Sequence, residues 1–264
     1  MLKRLLMAFG VLVAMAAASG AFAQQGSALD AIVKRGKLLV GVDIGAPPFG
    51  FTDDKMQPTG ADVETARMLA KDLGVELEVV PTTSANRIPY LLTSRVDLVM
   101  ATFSILPERA KTIAFSTPYG AINSVVFAPQ SVKISAASDL AGKKVGVARG
   151  TGNETSLVKL APSGTQIIRF DDEASALSAL ATGQVDAYAT GDTIAQSLNS
   201  RFPDKHFETK FIMQSAFYSV GLRHGDPDLQ HWVDTCIFFH RQNGDLARIY
   251  EKFIGTKLID LPTL

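Results

Sequence analysis

The stretch A-T-F-S-I-L-P-E-R-A-K-T-I-A-F-S-T-P-Y, residues 101–119, decides how the rest of the chain is interpreted. It follows an apolar run, Val96 to Met100, which is typical of a buried strand. Two hydroxyl residues, Thr102 and Ser104, come next, and a proline then stands where a helix would begin. Arg109 lies in the first turn of that helix. The stretch therefore predicts a strand, a turn with free N–H and hydroxyl groups, and an arginine beside them.

Arg109 has two interpretations on these residues alone. At the carboxyl end of a strand in an open α/β sheet, such a turn suits a small anion, and a guanidinium matches a carboxylate with two parallel hydrogen bonds. A solvated arginine in the first turn of a helix is, however, the more frequent case. The other motifs of the chain favour the interpretation of Arg109 as part of an anion site.

The first residues predict a secretory signal peptide. A charged start at Lys3 and Arg4 is followed by a short apolar run and by the cleavage pattern Ala21-Phe22-Ala23. No stretch is long enough for a comfortable membrane span. We therefore expect residues 1–23 to be removed and the mature protein, from Gln24, to be exported and soluble. The single cysteine, Cys236, lies in an apolar helical pattern and predicts a buried, inert thiol without a disulfide.

The charge of the mature chain excludes some partners. Without Lys3 and Arg4 the chain has 24 basic residues against 26 acidic ones, a formal charge of −2. This argues against nucleic acid and against an anionic membrane surface. About 240 residues remain, which suits one large domain or two of ordinary size, and no linker divides them.

Strands and helices alternate along the chain, which predicts parallel α/β sheets. The first run contains a strand at Leu38 to Ile44, a helix at Ala61 to Leu73 and a strand at Val75 to Val80. After a strand at Ser124 to Ala128, whose partner the pattern does not assign, the alternation starts again. Asp43 falls at the carboxyl end of the first strand, where it either caps the following turn or faces a ligand.

Several features favour enzymatic or cofactor chemistry only weakly. Gly150-Thr151-Gly152 follows a strand but lacks the remainder of a phosphate-loop or dinucleotide motif. No G-x-S-x-G and no Cys/His nucleophile arrangement occurs. The histidines lack metal-ligand spacing, so surface positions are expected for them: His206, His224, His231 and His240.

Segments from the whole mature chain, in order, resemble the periplasmic amino-acid-binding proteins that feed ABC importers, family 3 of the bacterial extracellular solute-binding proteins. They are L-L-V-G-V-D-I-G-A-P-P-F (38–49), T-G-A-D-V-E-T-A-R-M-L-A (59–70), N-R-I-P-Y-L (86–91), V-D-L-V-M-A-T-F-S-I-L-P-E-R-A-K (96–111), F-S-T-P-Y (115–119), D-L-A-G-K-K-V-G-V-A-R-G-T-G (139–152), G-Q-V-D-A-Y (183–188) and S-V-G-L-R (219–223).

The resemblance implies an α/β fold of two lobes, each a mostly parallel sheet flanked by helices, with two extended crossings as the hinge. Lobe 1 would comprise residues 24–120 and 217–264, and lobe 2 the inserted residues 121–216. A ligand would bind between the lobes, and their closure would be the signal that the membrane permease reads. The resemblance further implies a monomer in the periplasm that needs no cofactor or metal.

The resemblance also implies roles for particular residues. Arg109 resembles the arginine that pairs with the α-carboxylate of the ligand, and Thr102 and Ser104 match positions that add hydroxyl or N–H contacts. Gly152 matches a backbone donor that reaches the same carboxylate from lobe 2. Asp43 matches a position that commonly faces the ligand's side chain.

Three departures from the family pattern bear on the ligand. Aromatic residues often stand where this chain has Ala46 and Ser84, so a typical lysine, arginine or histidine specificity is in doubt. The aspartate that binds the α-ammonium usually lies five residues after the aspartate of G-x-V-D-A, where this chain has Gly191. We assign that role to Asp192, one residue later, with helix capping as the alternative.

Two other classes of protein remain as alternatives. A periplasmic cyclohexadienyl (prephenate or arogenate) dehydratase resembles the same scaffold, but it needs a general acid that no residue of the sequence marks out. A receptor sensor domain would need a second hydrophobic span. We therefore expect a binding protein without catalytic residues, for a polar or charged L-amino acid or a close derivative.

Overall fold

Two β/α units share one eight-stranded sheet in the computed structural model, which describes residues 26–263. The strand order is β4-β1-β5-β10-β6-β9-β7-β8, and β2 and β3 form a separate hairpin. The strands are β1 Lys37–Val42, β2 Phe51–Thr52, β3 Pro58–Thr59, β4 Glu76–Pro81, β5 Leu98–Val99, β6 Ala114–Pro129, β7 Lys144–Ala148, β8 Gln166–Phe170, β9 Ala187–Gly191 and β10 Phe207–Leu222.

The helices follow the predicted alternation closely. They are α1 Ala28–Arg35, α2 Ala61–Asp72, α3 Arg87–Leu92, α4 Pro107–Ala110, α5 Gly152–Leu160, α6 Glu173–Ala181, α7 Asp192–Arg201, α8 Pro227–Gln242 and α9 Asp245–Ile254. Capping residues mark the ends of several helices. The Ser27 side chain accepts a hydrogen bond from the N–H of Asp30 at the start of α1, and Gly36, with φ of 73°, ends that helix.

Each unit has a parallel core of three strands. In the first unit, β1 pairs in parallel with both β4 and β5. In the second unit, β7 pairs in parallel with both β8 and β9. The carboxyl ends of β1 and β5 therefore lie at one edge of the first unit, which is where turns of such sheets offer binding groups.

Two long antiparallel strands, β6 and β10, connect the units. Each has 16 residues, and their pairing runs from Ala114 with Leu222 to Pro129 with Phe207. The sequence pattern predicted only the fragments Ser124–Ala128 and Phe217–Leu222 of these strands, because register shifts interrupt the alternation along them. The lobe boundaries assigned from the sequence stay a prediction; they fall within this pair of strands, near Gly120 and Tyr218.

The carboxyl-terminal helices α8 and α9 pack on the first unit through a buried histidine. His240 is 5% exposed, so the expectation of a surface position is wrong for this residue. Its Nε2 lies 2.6 Å from Asp72 Oδ2, and its Nδ1 lies 2.8 Å from Asp245 Oδ2. The side chain thus connects α8 with the end of α2 and the start of α9, a tertiary contact that sequence spacing does not reveal. His206, His224 and His231 are exposed.

With a single cysteine the chain forms no internal disulfide, so its stability depends on the apolar core. Cys236 is buried within the main core cluster, and burial raises the pKa of its thiol to about 12. No helix within residues 26–263 is long and apolar enough to cross a membrane. The predicted signal peptide, residues 1–23, lies outside the described residues.

Candidate functional site

Arg109 is buried at the junction of the two units. It lies in α4, just beyond the turn that follows β5, and it is 8% exposed, so it is not a solvated first-turn arginine. Its Nη1 donates to the backbone oxygen of Ser104 at 2.7 Å, and its Nη2 donates to the backbone oxygen of Gly150 at 2.9 Å. The second contact crosses from the first unit to the turn that precedes α5.

A second buried arginine, Arg87, lies beside it. This residue begins α3 and is 3% exposed. Its guanidinium donates to the backbone oxygens of Ser84, Ala101 and Gly150 at 3.0, 2.9 and 3.0 Å. The sequence analysis did not single out Arg87, although the segment N-R-I-P-Y-L contains it, because an arginine at the start of a short helix is ordinarily solvated.

Both guanidinium groups lie over the ring of Phe103, with Cζ at 4.5 Å from the ring centroid for Arg87 and at 4.9 Å for Arg109. Burial lowers the pKa of Arg87 to about 10; burial and then the charge of Arg87 lower the pKa of Arg109 to about 9. Both groups remain charged at neutral pH. Within residues 26–263 neither arginine has a carboxylate at ion-pair distance. Two adjacent buried cations of this kind favour an anion.

Thr102 lies in the turn, but its backbone N–H is already engaged. The residue adopts a positive φ of 44°, and its N–H donates to Asp62 Oδ2 at 2.9 Å. The other oxygen of Asp62 accepts a hydrogen bond from the Tyr119 hydroxyl at 2.7 Å. Burial raises the pKa of Asp62 to about 7, although both hydrogen bonds favour its charged form. Asp62 therefore fixes the turn, and Thr102 has only its hydroxyl to offer a ligand.

Gly152 brings the second unit to the same place. It is the first residue of α5, where backbone N–H groups lack helical partners. A Cβ built on Gly152 would lie 3.5 Å from the Ser104 hydroxyl oxygen. The structure thus brings Ser104, Arg109 and Gly152 together across the junction, and their roles in binding stay a prediction.

Asp43 follows β1, and the structure shows the first of the two roles left open by the sequence, the capping of the following turn. Its Oδ1 accepts a hydrogen bond from the N–H of Gly45 at 3.0 Å, which caps the turn. Its Oδ2 accepts no hydrogen bond from the described residues and is not sealed from solvent. Burial raises the pKa of this carboxyl group, while the Gly45 hydrogen bond and the charge of Arg87 act in the opposite direction.

Asp192 lies apart from these residues. Its Oδ2 accepts a hydrogen bond from the Asn123 amide at 2.8 Å, and its Oδ1 accepts from the N–H of Thr193 at 2.8 Å. It lines a cavity of about 340 Å³ with residues of β6, β10 and α9, and neither arginine lines that cavity. The structure does not bring the Asp192 carboxylate together with Arg109. Asp192 is the first residue of α7 rather than its N-cap, which is Gly191 and has no side-chain cap hydrogen bond.

Glu173 is an acidic group of the junction that the sequence analysis missed. It begins α6, is 3% exposed, and its Oε2 accepts hydrogen bonds from the Tyr188 hydroxyl and from Thr190 Oγ1, the latter at 3.2 Å. Burial, and next the charge of Asp43, raise the pKa of Glu173 to about 8. A glutamate in the first helical turn is so common that its sequence position carries no functional signal.

The described residues contain no cluster of three or more His, Cys, Asp or Glu side chains suited to a metal ion. The groups gathered at the junction are instead two guanidinium cations, three buried carboxyl groups, two hydroxyls and a helix N-terminus. Such a set can bind a small molecule that carries both a carboxylate and positive charge.

Comparison with known proteins gives consistent results. The sequence profile of the bacterial extracellular solute-binding proteins, family 3, matches residues 38–256. The L-cystine-binding protein TcyJ of Escherichia coli K12 is 35% identical over 236 residues, which cover 89% of this chain and 88% of TcyJ. This and other similar curated proteins are named as amino-acid-binding proteins.

Solved structures agree on the architecture. A variant of ArgBP from T. maritima matches with a TM-score of 0.81 at 30% identity, over 86% of this chain and 99% of that one. The ancestral amino acid-binding protein AncCDT-1, described as a precursor of cyclohexadienyl dehydratase, matches with a TM-score of 0.80 at 34% identity, over 86% of this chain and all of that one (100%). The expectation of a two-lobed α/β binding-protein fold is confirmed.

Proposed function

Since the chain belongs to family 3 of the bacterial extracellular solute-binding proteins, we propose that it captures a polar or charged L-amino acid, or a close derivative, for an ABC importer. The ligand binds between two lobes, 24–120 with 217–264 and 121–216, which close over it. The closed protein then delivers the ligand to the permease in the inner membrane. In this proposal the protein acts as a monomer in the periplasm and carries out no reaction.

The observation that carries the proposal is the contact of Arg109 and Arg87 with one backbone oxygen, that of Gly150, across the junction. A ligand carboxylate that reaches these guanidinium groups lies between the units. It therefore stabilises the closed arrangement more than the open one, and differential binding of this kind is what shifts a conformational equilibrium.

The α-carboxylate is assigned to Arg109, Ser104 and Gly152. The guanidinium supplies two parallel donors, the Ser104 hydroxyl a third, and the N–H at the start of α5 a fourth from the opposite lobe. Thr102 contributes its hydroxyl group to the same end of the site. Closure excludes water, so these hydrogen bonds gain strength as the lobes meet.

The ligand's side chain is assigned to Asp43, whose Oδ2 accepts no hydrogen bond from the described residues. The resemblance assigns the α-ammonium to Asp192, but we do not include that role in the proposal, because the carboxylate lines the separate cavity beside β6. Similar proteins are named for L-cystine, and ArgBP from T. maritima has been solved with arginine bound, so L-cystine and L-arginine are the first ligands to test.

A thermal-shift screen tests the proposal. The mature protein is heated with each common L-amino acid and with L-cystine. A ligand at a hundred times its dissociation constant adds roughly 2.7 kcal/mol of stability, a melting shift of about 5–10 °C for a chain of this size. Agmatine and cystamine, which lack the carboxylates of L-arginine and L-cystine, serve as controls. Shifts of equal size with these amines would refute the carboxylate site.

The dehydratase alternative has its own test. AncCDT-1 is described as a binding protein that preceded such an enzyme, so the scaffold supports both activities. We expect incubation with prephenate or arogenate to yield no aromatic product. The appearance of phenylpyruvate or phenylalanine would assign a catalytic function instead.

A further inference from the structure

The turn that follows β5 is hydrogen-bonded to one of the two long strands that connect the units. In this segment, residues 102–105, here called the binding turn, the backbone oxygen of Phe103 accepts from the N–H of Ser219 at 3.1 Å. The N–H of Ile105 donates to the backbone oxygen of Phe217, also at 3.1 Å. Both partners belong to β10, so the position of that strand limits where the binding turn can lie.

Asp62 links the binding turn to the other connecting strand, β6. It is the second residue of α2 and is 1% exposed. Its Oδ2 accepts a hydrogen bond from the N–H of Thr102 at 2.9 Å, and its Oδ1 accepts one from the hydroxyl of Tyr119 at 2.7 Å. Tyr119 lies in β6, and its ring packs edge-on against the ring of Tyr218 in β10, with centroids 4.8 Å apart. One buried carboxyl group therefore joins the binding turn to the strand pair.

The backbone of Thr102 depends on such support. Its φ of 44° lies in the left-handed region, which is unfavourable for a β-branched residue. Strained backbone of this kind persists only where surrounding contacts hold it. The hydrogen bond from the N–H of Thr102 to Asp62 is such a contact, and hydrogen bonds to carboxylates are among the stronger ones in proteins.

We infer that Asp62 is a positioning residue for ligand capture, which holds the binding turn in its left-handed conformation and fixes it against β6. The inference rests on the proposed function, in which the hydroxyl groups of Thr102 and Ser104 contact the ligand. Both oxygens of Asp62 accept hydrogen bonds from the protein, so Asp62 acts on the ligand through the turn rather than by contact.

A turn that is already held in its binding conformation favours affinity. Such a turn loses little further conformational entropy when a ligand arrives, and this preorganisation lowers the cost of binding. Removal of the Asp62 carboxylate should therefore weaken ligand binding in protein that is still folded. A role in stability alone would leave the affinity of the folded protein unchanged.

Calorimetric titration of wild type and Asp62→Ala tests the inference. The probe is whichever of the common L-amino acids and L-cystine gives wild type its largest thermal shift. We expect Asp62→Ala to bind this probe about tenfold or more weakly than wild type, at a temperature where its melting curve shows it folded. If Asp62→Ala does not fold, Asp62→Asn replaces it, because its amide offers one oxygen to two donors. That variant should bind at least about threefold more weakly.

Asp234→Ala is the matched control. Asp234 lies in α8, and its Oδ1 accepts hydrogen bonds from the N–H of Thr117 at 2.6 Å and from the Thr117 hydroxyl at 2.8 Å. Like Asp62→Ala, this variant leaves one backbone N–H and one hydroxyl of the protein without their acceptor, and Thr117 also lies in β6. The affected groups lie outside the binding turn. We expect lower stability but an affinity within about threefold of wild type.

Thr102→Gly adds a measurement that a merely structural role of Asp62 would not change. Glycine adopts the left-handed conformation without strain, so the turn should depend less on its support. Thr102→Gly loses the hydroxyl group and should itself bind the probe more weakly. In that background, however, Asp62→Ala should weaken binding by less than about threefold further.

The possible results separate this inference from the proposed function. An affinity within about threefold of wild type in the folded Asp62 variant would overturn the inference while amino-acid binding stands. An equal loss of affinity in Asp234→Ala, or an undiminished effect of Asp62→Ala in the Thr102→Gly background, would overturn it as well. A wild type that binds no amino acid would overturn both.

Discussion

Arg87 and Arg109 donate hydrogen bonds to the same backbone oxygen, that of Gly150, at 3.0 and 2.9 Å. The two arginines belong to the first unit, and Gly150 lies in the turn between β7 and α5 of the second. One carbonyl oxygen thus holds two cations from the opposite unit. The arrangement links the closed geometry directly to the groups that are proposed to bind a carboxylate, and the following predictions depend on that link.

Arg109→Ala should weaken amino-acid binding by about thirty-fold to several thousand-fold, as measured by calorimetry. Removal of the arginine leaves a buried carboxylate without its partner, at a cost of roughly 2–5 kcal/mol. Arg109→Lys should restore only part of the affinity, because an ammonium cannot make two parallel hydrogen bonds. Without ligand, Arg109→Ala should lose about 1–3 kcal/mol of unfolding free energy, because its hydrogen bonds to the backbone oxygens of Ser104 and Gly150 are lost. Normal affinity in Arg109→Ala would remove this residue from the site.

Gly150→Ala should hinder closure. A Cβ on Gly150 would lie 2.9 Å from the Cα of Ala85 in the opposite unit, so backbone would have to move. We expect affinity to fall by about five-fold to a hundred-fold, and small-angle scattering with ligand present to show a less closed protein. Gly142→Ala is the matched control, since Gly142 has a similar positive φ but no atom within 4 Å of a built Cβ. Equal affinity losses in both variants would point to backbone strain alone.

Asp192→Asn should change amino-acid affinity by less than about threefold. Its carboxylate contacts Asn123 and the N–H of Thr193, away from both arginines. Asp43→Asn should instead change the ranking among ligand side chains. Titration of both variants with L-arginine and L-glutamine measures the difference. A strong and equal loss for both ligands in Asp192→Asn would show that this residue does hold the α-ammonium.

The free energy of unfolding of the ligand-free protein should fall as the pH rises from about 4 to about 7, and the Asp62 carboxyl group should cause part of this fall. Burial raises the pKa of this group from 3.8 to about 7. Between these two pH values the folded state retains a proton on Asp62 that the unfolded state has lost. The stabilisation that this proton gives is complete below pH 3.8 and disappears as the pH rises past about 7. The contribution amounts to about 2–4 kcal/mol.

Urea unfolding at pH 5 and pH 8 measures this contribution, with Asp62→Asn as the comparison. The variant loses a favourable contact with the N–H of Thr102 and is less stable at low pH, but its stability should vary less between the two pH values. If wild type and Asp62→Asn lose the same unfolding free energy between pH 5 and pH 8, Asp62 is not the source of the pH dependence.

The sequence determined most of the local structure. Strands β1 and β4 and helix α2 lie within two residues of their predicted bounds, because buried apolar runs and apolar positions at helical spacing mark them. The turn that contains Thr102 and Ser104, and the position of Asp43 just after β1, were also predicted from the pattern. These features depend on neighbours in the chain, which are visible in the sequence.

Tertiary structure alone decided which groups meet. The first ten residues of β10 were missed, since their pairing partner, β6, lies about eighty residues away in the sequence. Arg87, Glu173 and His240 each occupy helical positions that are ordinarily solvated, and their burial comes from the approach of distant segments. Asp192 lies one residue beyond the position that the family pattern gives, and its side chain at the start of α7 contacts Asn123. The sequence by itself therefore determined the elements and the family, whereas the packing of two distant units determined which charges share the cleft, because burial and charge contacts depend on neighbours in space rather than along the chain.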